Sequence, residues 1–185
     1  PAFALVAFDS AGRAGVPALQ MRVIVGDAVD RQTPMLSEQL RSVQFRPYWN
    51  VPPSILRQEI LPKLRRSPGY LRANDMEIVS AGGTVQGDRP TPALLEALAR
   101  GTARVRQRPG PDNSLGLVKL VFPNRANVYL HGTPALSLFL KPRRDFSHGC
   151  IRVEDPAALV TWVLQDEPGW PRERVDAAIA GPASR

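Results

Sequence analysis

Cys150 is the only cysteine of this chain, and His131 and His148 are its only histidines. They share one window: His131-Gly132-Thr133, thirteen further residues, then Ser147-His148-Gly149-Cys150-Ile151-Arg152. A thiol becomes a nucleophile near neutral pH when a base stands beside it, and imidazole is suited to that task. Three chemistries compete. A free cysteine is among the most buried residue types and often only packs, but two histidines and flanking glycines at one locus argue against packing alone. His131, His148 and Cys150 together are an acceptable zinc donor set with an open position, yet no CxxC or HxxxH spacing supports it, and no metal is expected. A Cys–His nucleophilic enzyme accounts for the clustering best.

The elements around these residues must bring them together. Leu115–Phe122 is a buried-looking apolar run, Pro123-Asn124-Arg125 a turn, and Asn127–His131 a second strand, which predicts a hairpin. Tyr129 and His131 are two residues apart in that strand, so their side chains leave the same face. Gly132 permits close backbone approach. Ser147–Cys150 reads as a small-residue turn leading through Ile151-Arg152-Val153 to a helix, Ala157–Leu164, opened by Asp155-Pro156. A chain reversal between the two segments brings Cys150 within reach of His131.

Elsewhere, Phe3–Phe8 and Met21–Val25 read as strands joined across a turn-rich Asp9–Pro17 loop. Thr33–Val43 suits a short helix or irregular crossing, and Phe45–Pro53 is extended and stiff. Ile55, Leu56, Glu59, Ile60 and Leu64 give Ser54–Arg66 a helical stripe, kinked or ended at Pro62. Met76–Val79 is a short strand. Thr91-Pro92 caps a helix with Leu94, Leu95 and Leu98 on one face and Gly101 at its close. Arg100–Pro111 suits a basic loop, and Arg172–Ala180 a last helix. The order predicts one α+β domain over residues 1–185: a β-rich core (1–50 and 110–185) with a helical insertion over about residues 51–109, longer than an ordinary loop.

Composition sets outer limits. With 185 residues, 43% hydrophobic and 22% charged, the chain fits a soluble globular domain. A lone cysteine excludes an intramolecular disulfide and leaves the compartment unassigned. No apolar run approaches the roughly 18–20 residues that span a bilayer. A start at Pro1, with no Met or signal-like segment, suggests a trimmed fragment or processed product, any export signal or membrane anchor lying upstream. The net charge of +7 fits a solvated basic surface or attraction to a polyanion. Nucleic acid is not expected, because the arginines are scattered and no recognition-helix or stacking-aromatic signature accompanies them.

The string HGT-x13-SHGCIR resembles the signature of the L,D-transpeptidase catalytic domain (YkuD-type) family: an upstream His, then Ser/Thr-His-Gly-Cys, an apolar residue and Asn or Arg. Arg22-Val23-Ile24-Val25-Gly26, Thr33-Pro34 and Pro47-Tyr48-Trp49-Asn50-Val51-Pro52 resemble the N-terminal half of the larger Gram-negative members. That resemblance implies a mixed-sheet sandwich core with an inserted helical cap. It implies Cys150 as nucleophile, His131 as base and the Gly132 carbonyl as the group orienting the imidazole. The Cys150 N–H and the Tyr129 hydroxyl are oxyanion candidates, with strand packing the other reading of Tyr129. Ser147, His148 and Gly149 shape the turn, with His148 the alternative base. Arg152 either holds substrate carboxylates or serves as scaffold, pairing with Glu154 or a backbone carbonyl; Asp145 reads as a surface loop charge, and Trp49 either lines the cleft under the cap or is a buried packing aromatic.

The reaction implied is acyl transfer on peptidoglycan stem peptides, from a tetrapeptide donor that releases D-Ala to the diamino-acid amine of an acceptor stem, forming 3→3 cross-links. Covalent inhibition by carbapenems and a periplasmic location follow from the same resemblance, with no cofactor. Lipoprotein anchoring and L,D-carboxypeptidase trimming use the same nucleophile, and a non-enzymatic wall-binding module would keep only the basic surface.

Overall fold

Period-two sequence becomes strand where one side can be buried, and the ends of this chain do so repeatedly. A computed structural model describes residues 2–9 and 15–182; residues 10–14 of the expected Asp9–Pro17 loop lie outside the described residues. The described strands are β1 (Phe3–Ala7), β2 (Leu19–Gly26), β3 (Ser42–Phe45), β4 (Trp49–Asn50), β5 (Met76–Ser80), β6 (Val85–Gly87), β7 (Ala103–Gln107), β8 (Val118–Val121), β9 (Leu130–His131), β10 (Asp145–Ser147) and β11 (Ile151–Val153). Residues 33–41 carry no regular element, the irregular alternative for that stretch. The class is α+β. Contacts divide the chain into two units, residues 1–47 with 115–185, and residues 48–114.

The first unit is built on one mixed sheet in the order β1-β2-β11-β9-β8-β3, with β10 paired in parallel to β2. Met21, Val23, Val118, Leu120 and Val153 line its buried face against Leu159, Val160 and Val175. The last three lie on helices Pro156–Val163 and Arg172–Ala180. Phe45 stacks on Trp170 with ring centroids 5.5 Å apart. Burying each such side chain contributes about 1.5–3 kcal/mol, so this face ties the strand order down. Asp155 accepts the Ala158 N–H at 2.9 Å and Pro156 fills the first turn, as the sequence signal requires.

The second unit has a four-stranded antiparallel sheet, β4-β7-β5-β6, as well as helices. β5 answers the short strand read at Met76–Val79, and β6 and β7 add strands that the helical insertion read from sequence did not include. Ala103–Gln107 lies inside the expected basic loop but forms β7, burying Ala103, Val105 and Gln107 while Arg104 and Arg106 point the other way. Glu77 on β5 is buried and receives both Arg106 and Arg108, at 2.7 and 2.9 Å. Pro62 does not end its helix. The run Pro53–Ile55, Leu56–Ile60 and Leu61–Arg66 is continuous, and its middle turn widens to π geometry with Leu61 N–H donating to Leu56 O. The wider turn makes room where a proline ring would press on the carbonyl four residues back. Thr91 caps helix Pro92–Arg100 through the Leu94 N–H, and Gly101 closes it at φ 79°. Among the described residues no helix is long and apolar enough to cross a membrane.

Candidate active site

Strand register assembles the site. β9 runs parallel to β11, pairing Ile151 with Leu130 and Arg152 with His131. It runs antiparallel to β8, pairing Lys119 with His131. Paired residues leave a sheet on the same face, so Lys119, His131 and Arg152 form one row. Tyr129 and Cys150 precede His131 and Arg152 by two residues and form the next row; the Ile151 N–H donates to Tyr129 O at 3.0 Å. Leu120, Leu130, Ile151 and Val153 point to the opposite, apolar face. The alternation that builds the core therefore forces the reactive groups together on the other side.

The turn before Cys150 is held from within. Ser147 is buried; its Oγ donates to Cys150 O at 2.5 Å and accepts the Gly149 N–H at 3.1 Å. Gly149 adopts φ 115°, which a side chain would strain. Thr33 Oγ1 donates to Gly149 O at 2.8 Å and accepts the Gly26 N–H at 2.9 Å, tying the turn to the end of β2. The Cys150 N–H has no protein acceptor among the described residues.

His131 is buried, and its Nδ1 lies 2.5 Å from Gly132 O. A carbonyl only accepts, so Nδ1 carries the proton and Nε2 is left as the basic atom. Burial, then the positive charges of Arg152 and Lys119, push the imidazole down to about 4, against the pull of the Gly132 and Leu115 carbonyls. Burial also pushes the Cys150 thiol up, opposed by hydrogen bonding from the Tyr129 backbone and hydroxyl and by the charges of Lys119 and Arg152. The thiol donates to Asn127 O at 3.8 Å. Burial and the neighbouring sulfur raise the Tyr129 hydroxyl, which stays protonated and able to donate. The two groups are thus a neutral thiol and a neutral imidazole at rest.

The remaining sequence-derived residues fall as follows. His148 is exposed. Trp49 lies on β4 of the second unit, half-buried against that unit's own core. Asp145 is not a surface charge: it is buried and held by Arg143 through contacts of 2.6 and 2.7 Å, which keep its carboxyl below the usual carboxylate range. Glu154 pairs with Arg22 rather than Arg152, and Arg152 Nε is buried with no hydrogen-bond partner. Among the described residues no group of three or more His, Cys, Asp or Glu side chains could hold a metal ion. Sequence reasoning missed Lys119, Thr33 and Asn127 as parts of the site. Lys119 was findable in principle, because hairpin register sets it opposite His131; the others depend on tertiary contacts.

Two comparisons with known proteins bear on the family of this chain. A family model described as the L,D-transpeptidase catalytic domain (YkuD) matches residues 9–174. A Haemophilus influenzae protein named "Putative L,D-transpeptidase" is 34% identical over 163 residues, a match covering 88% of this chain and 32% of that relative. The chain thus spans about a third of the length of the relative it matches.

Proposed function

The chain belongs to the L,D-transpeptidase catalytic-domain family, and from that premise we propose that it catalyses acyl transfer on peptidoglycan stem peptides through Cys150. The observation that carries this reading is the parallel β9–β11 register, which sets the only thiol diagonally across from a buried imidazole whose Nδ1 is held by the Gly132 carbonyl. In the first half-reaction Sγ attacks the carbonyl of the third stem residue at its L-centre and its proton passes to His131 Nε2. The Cys150 N–H and the Tyr129 hydroxyl are the donors for the tetrahedral oxyanion. The C–N bond then breaks, the imidazolium returns its proton to the departing D-Ala amine, and a thioester remains on Cys150.

In the second half-reaction the side-chain amine of an acceptor stem's diamino acid attacks the thioester, and His131 takes its proton. The thiolate leaves and is reprotonated, giving a 3→3 cross-link. Water or a lipoprotein amine in place of that acceptor would give trimming or anchoring with the same first half. On this reading the protein works in the periplasm, beside the peptidoglycan it acts on.

Incubation with purified disaccharide-tetrapeptide, with products resolved by mass, tests the reading. The expected products are an acyl-enzyme lacking D-Ala and a cross-linked dimer, neither formed by Cys150→Ala. A carbapenem should add covalently at Cys150. Failure of the intact protein to acylate with either compound refutes the proposal.

A further inference from the structure

Among the described residues, two cations on the site face have no carboxylate to answer them. Lys119 and Arg152 lie on the two strands that flank β9, each paired in register with His131, so they bracket the imidazole from opposite sides. Lys119 Nζ sits 4.1 Å above the centre of the Tyr129 ring, in the row that holds Cys150. Both side chains are half-buried. Neither pairs with a carboxylate among the described residues: Glu154 is engaged by Arg22 and Asp145 by Arg143. Arg152 Nε is buried and donates to nothing. Partly desolvated cations without a counter-charge are costly, and an arginine that leaves a buried N–H unspent has donor capacity for an incoming acceptor.

We propose that Lys119 and Arg152 form a carboxylate-accepting subsite beside Cys150, making Lys119 a further substrate-binding residue. On the acyl-transfer reading above, on which this assignment of the ligand rests, the carboxylate is that of the leaving D-Ala, two atoms beyond the scissile nitrogen. Lys119 supplies a point charge and Arg152 a directed N–H. Burial lowers both side chains' proton affinity, and the charge that the Cys150 sulfur carries as a thiolate works against that for both.

The lone cysteine lets the subsite be read without any peptidoglycan. The native chain is alkylated separately with anionic iodoacetate and neutral iodoacetamide, and rates are followed by intact mass. Both reagents attack the same thiolate, so their rate ratio cancels any change in thiol ionisation. The urea-unfolded chain supplies the reference. The native iodoacetate-to-iodoacetamide ratio should exceed the reference at least about five-fold at low salt and shrink as salt rises. Lys119→Met should lower it about three-fold or more, Lys119→Gln likewise, and Lys119→Arg should keep it. A native ratio equal to the reference, or one that both neutral variants leave unchanged, overturns the subsite.

With substrates, amidating the tetrapeptide's terminal carboxylate should lower kcat/KM about ten-fold in the unmodified enzyme and less in Lys119→Met. Equal kcat/KM for the two donors overturns the assignment to that carboxylate. An iodoacetate preference without turnover of any peptide would uphold the subsite while the acyl-transfer reading fell.

Discussion

Replacing Gly116 by alanine tests whether the imidazole is held by backbone packing. Gly116 has φ 63°, and a Cβ there would lie 2.6 Å from Thr133 N, 2.7 Å from the Gly132 carbonyl carbon and 2.9 Å from Gly132 Cα. Two costs combine. A left-handed backbone at a residue bearing Cβ costs about 1–2 kcal/mol, and forcing extra volume against atoms that cannot rotate away costs about 1–3 kcal/mol. The sum, about 3 kcal/mol, corresponds to a fall in Tm of about 6–12 °C for a chain of this size. Gly169→Ala is the control, since Gly169 has φ 82° but its Cβ would meet only the Arg174 side chain, at 3.4 Å; it should lose about 2–8 °C. The clash also pushes on the Gly132 carbonyl that fixes the His131 tautomer. Acylation of the folded variant should therefore slow about ten-fold, the worth of roughly one hydrogen bond. Calorimetric melts and single-turnover mass spectrometry read both effects. A Gly116→Ala protein that melts no lower than Gly169→Ala would refute the close-packing argument.

Tyr129→Phe removes the hydroxyl that favours the Cys150 thiolate but keeps the ring under Lys119; iodoacetamide alkylation at neutral pH should slow about ten-fold, a hydrogen bond to a charged group being worth about 1.5 kcal/mol or more. An unchanged rate would show that the hydroxyl does not act on the sulfur. Ser147→Ala strips one acceptor and one donor from the buried turn and should cost about 2 kcal/mol in urea unfolding. A loss under about 0.5 kcal/mol would mean that the turn holds without the hydroxyl. His131 titrates at about 4 when folded against 6.5 for the free side chain, so between those values the unfolded chain binds a proton that the native site refuses. Its neutrality is free of penalty above pH 6.5, and about 3 kcal/mol of stability is lost as pH falls through 4. His131→Gln should flatten that part of the stability–pH curve, and two parallel curves would contradict the burial argument.

The legible parts of the molecule were those set by neighbours in sequence. Thr91, Gly101 and Asp155 announce helix ends because a cap needs only the next few residues. Tyr129 and His131 announce a shared face because strand alternation is local. The illegible parts depend on partners far along the chain. β7 read as a loop because Arg104, Arg106 and Arg108 interrupt its apolar residues, and Glu77, which takes the charges of Arg106 and Arg108, is about thirty residues away. Asp145 read as a surface charge because burial follows from β10 pairing with β2, and Arg143 answers the charge. Lys119 joined the site only through a register that sequence does not print.

The interval between His131 and Cys150 then has a topological cause. Antiparallel neighbours can be joined by two residues, whereas parallel ones need a crossover of a dozen or more. β9 and β11 are parallel, and residues 132–150 are the crossover. They carry a short 3-10 helix, Leu136–Leu140, anchored by buried Phe139, and then β10 on the edge of β2. The middle of this connection, where Leu140 and Lys141 are exposed, can change length without altering the ladder that positions Cys150 and His131. The stretch from Ser147 to Arg152 cannot. A one-residue slip there would exchange the faces of Cys150 and Ile151, placing the thiol against the core and an isoleucine beside the imidazole. The fixed geometry from Ser147 to Arg152 and the tolerance of the longer connection before it are two consequences of one parallel strand pair.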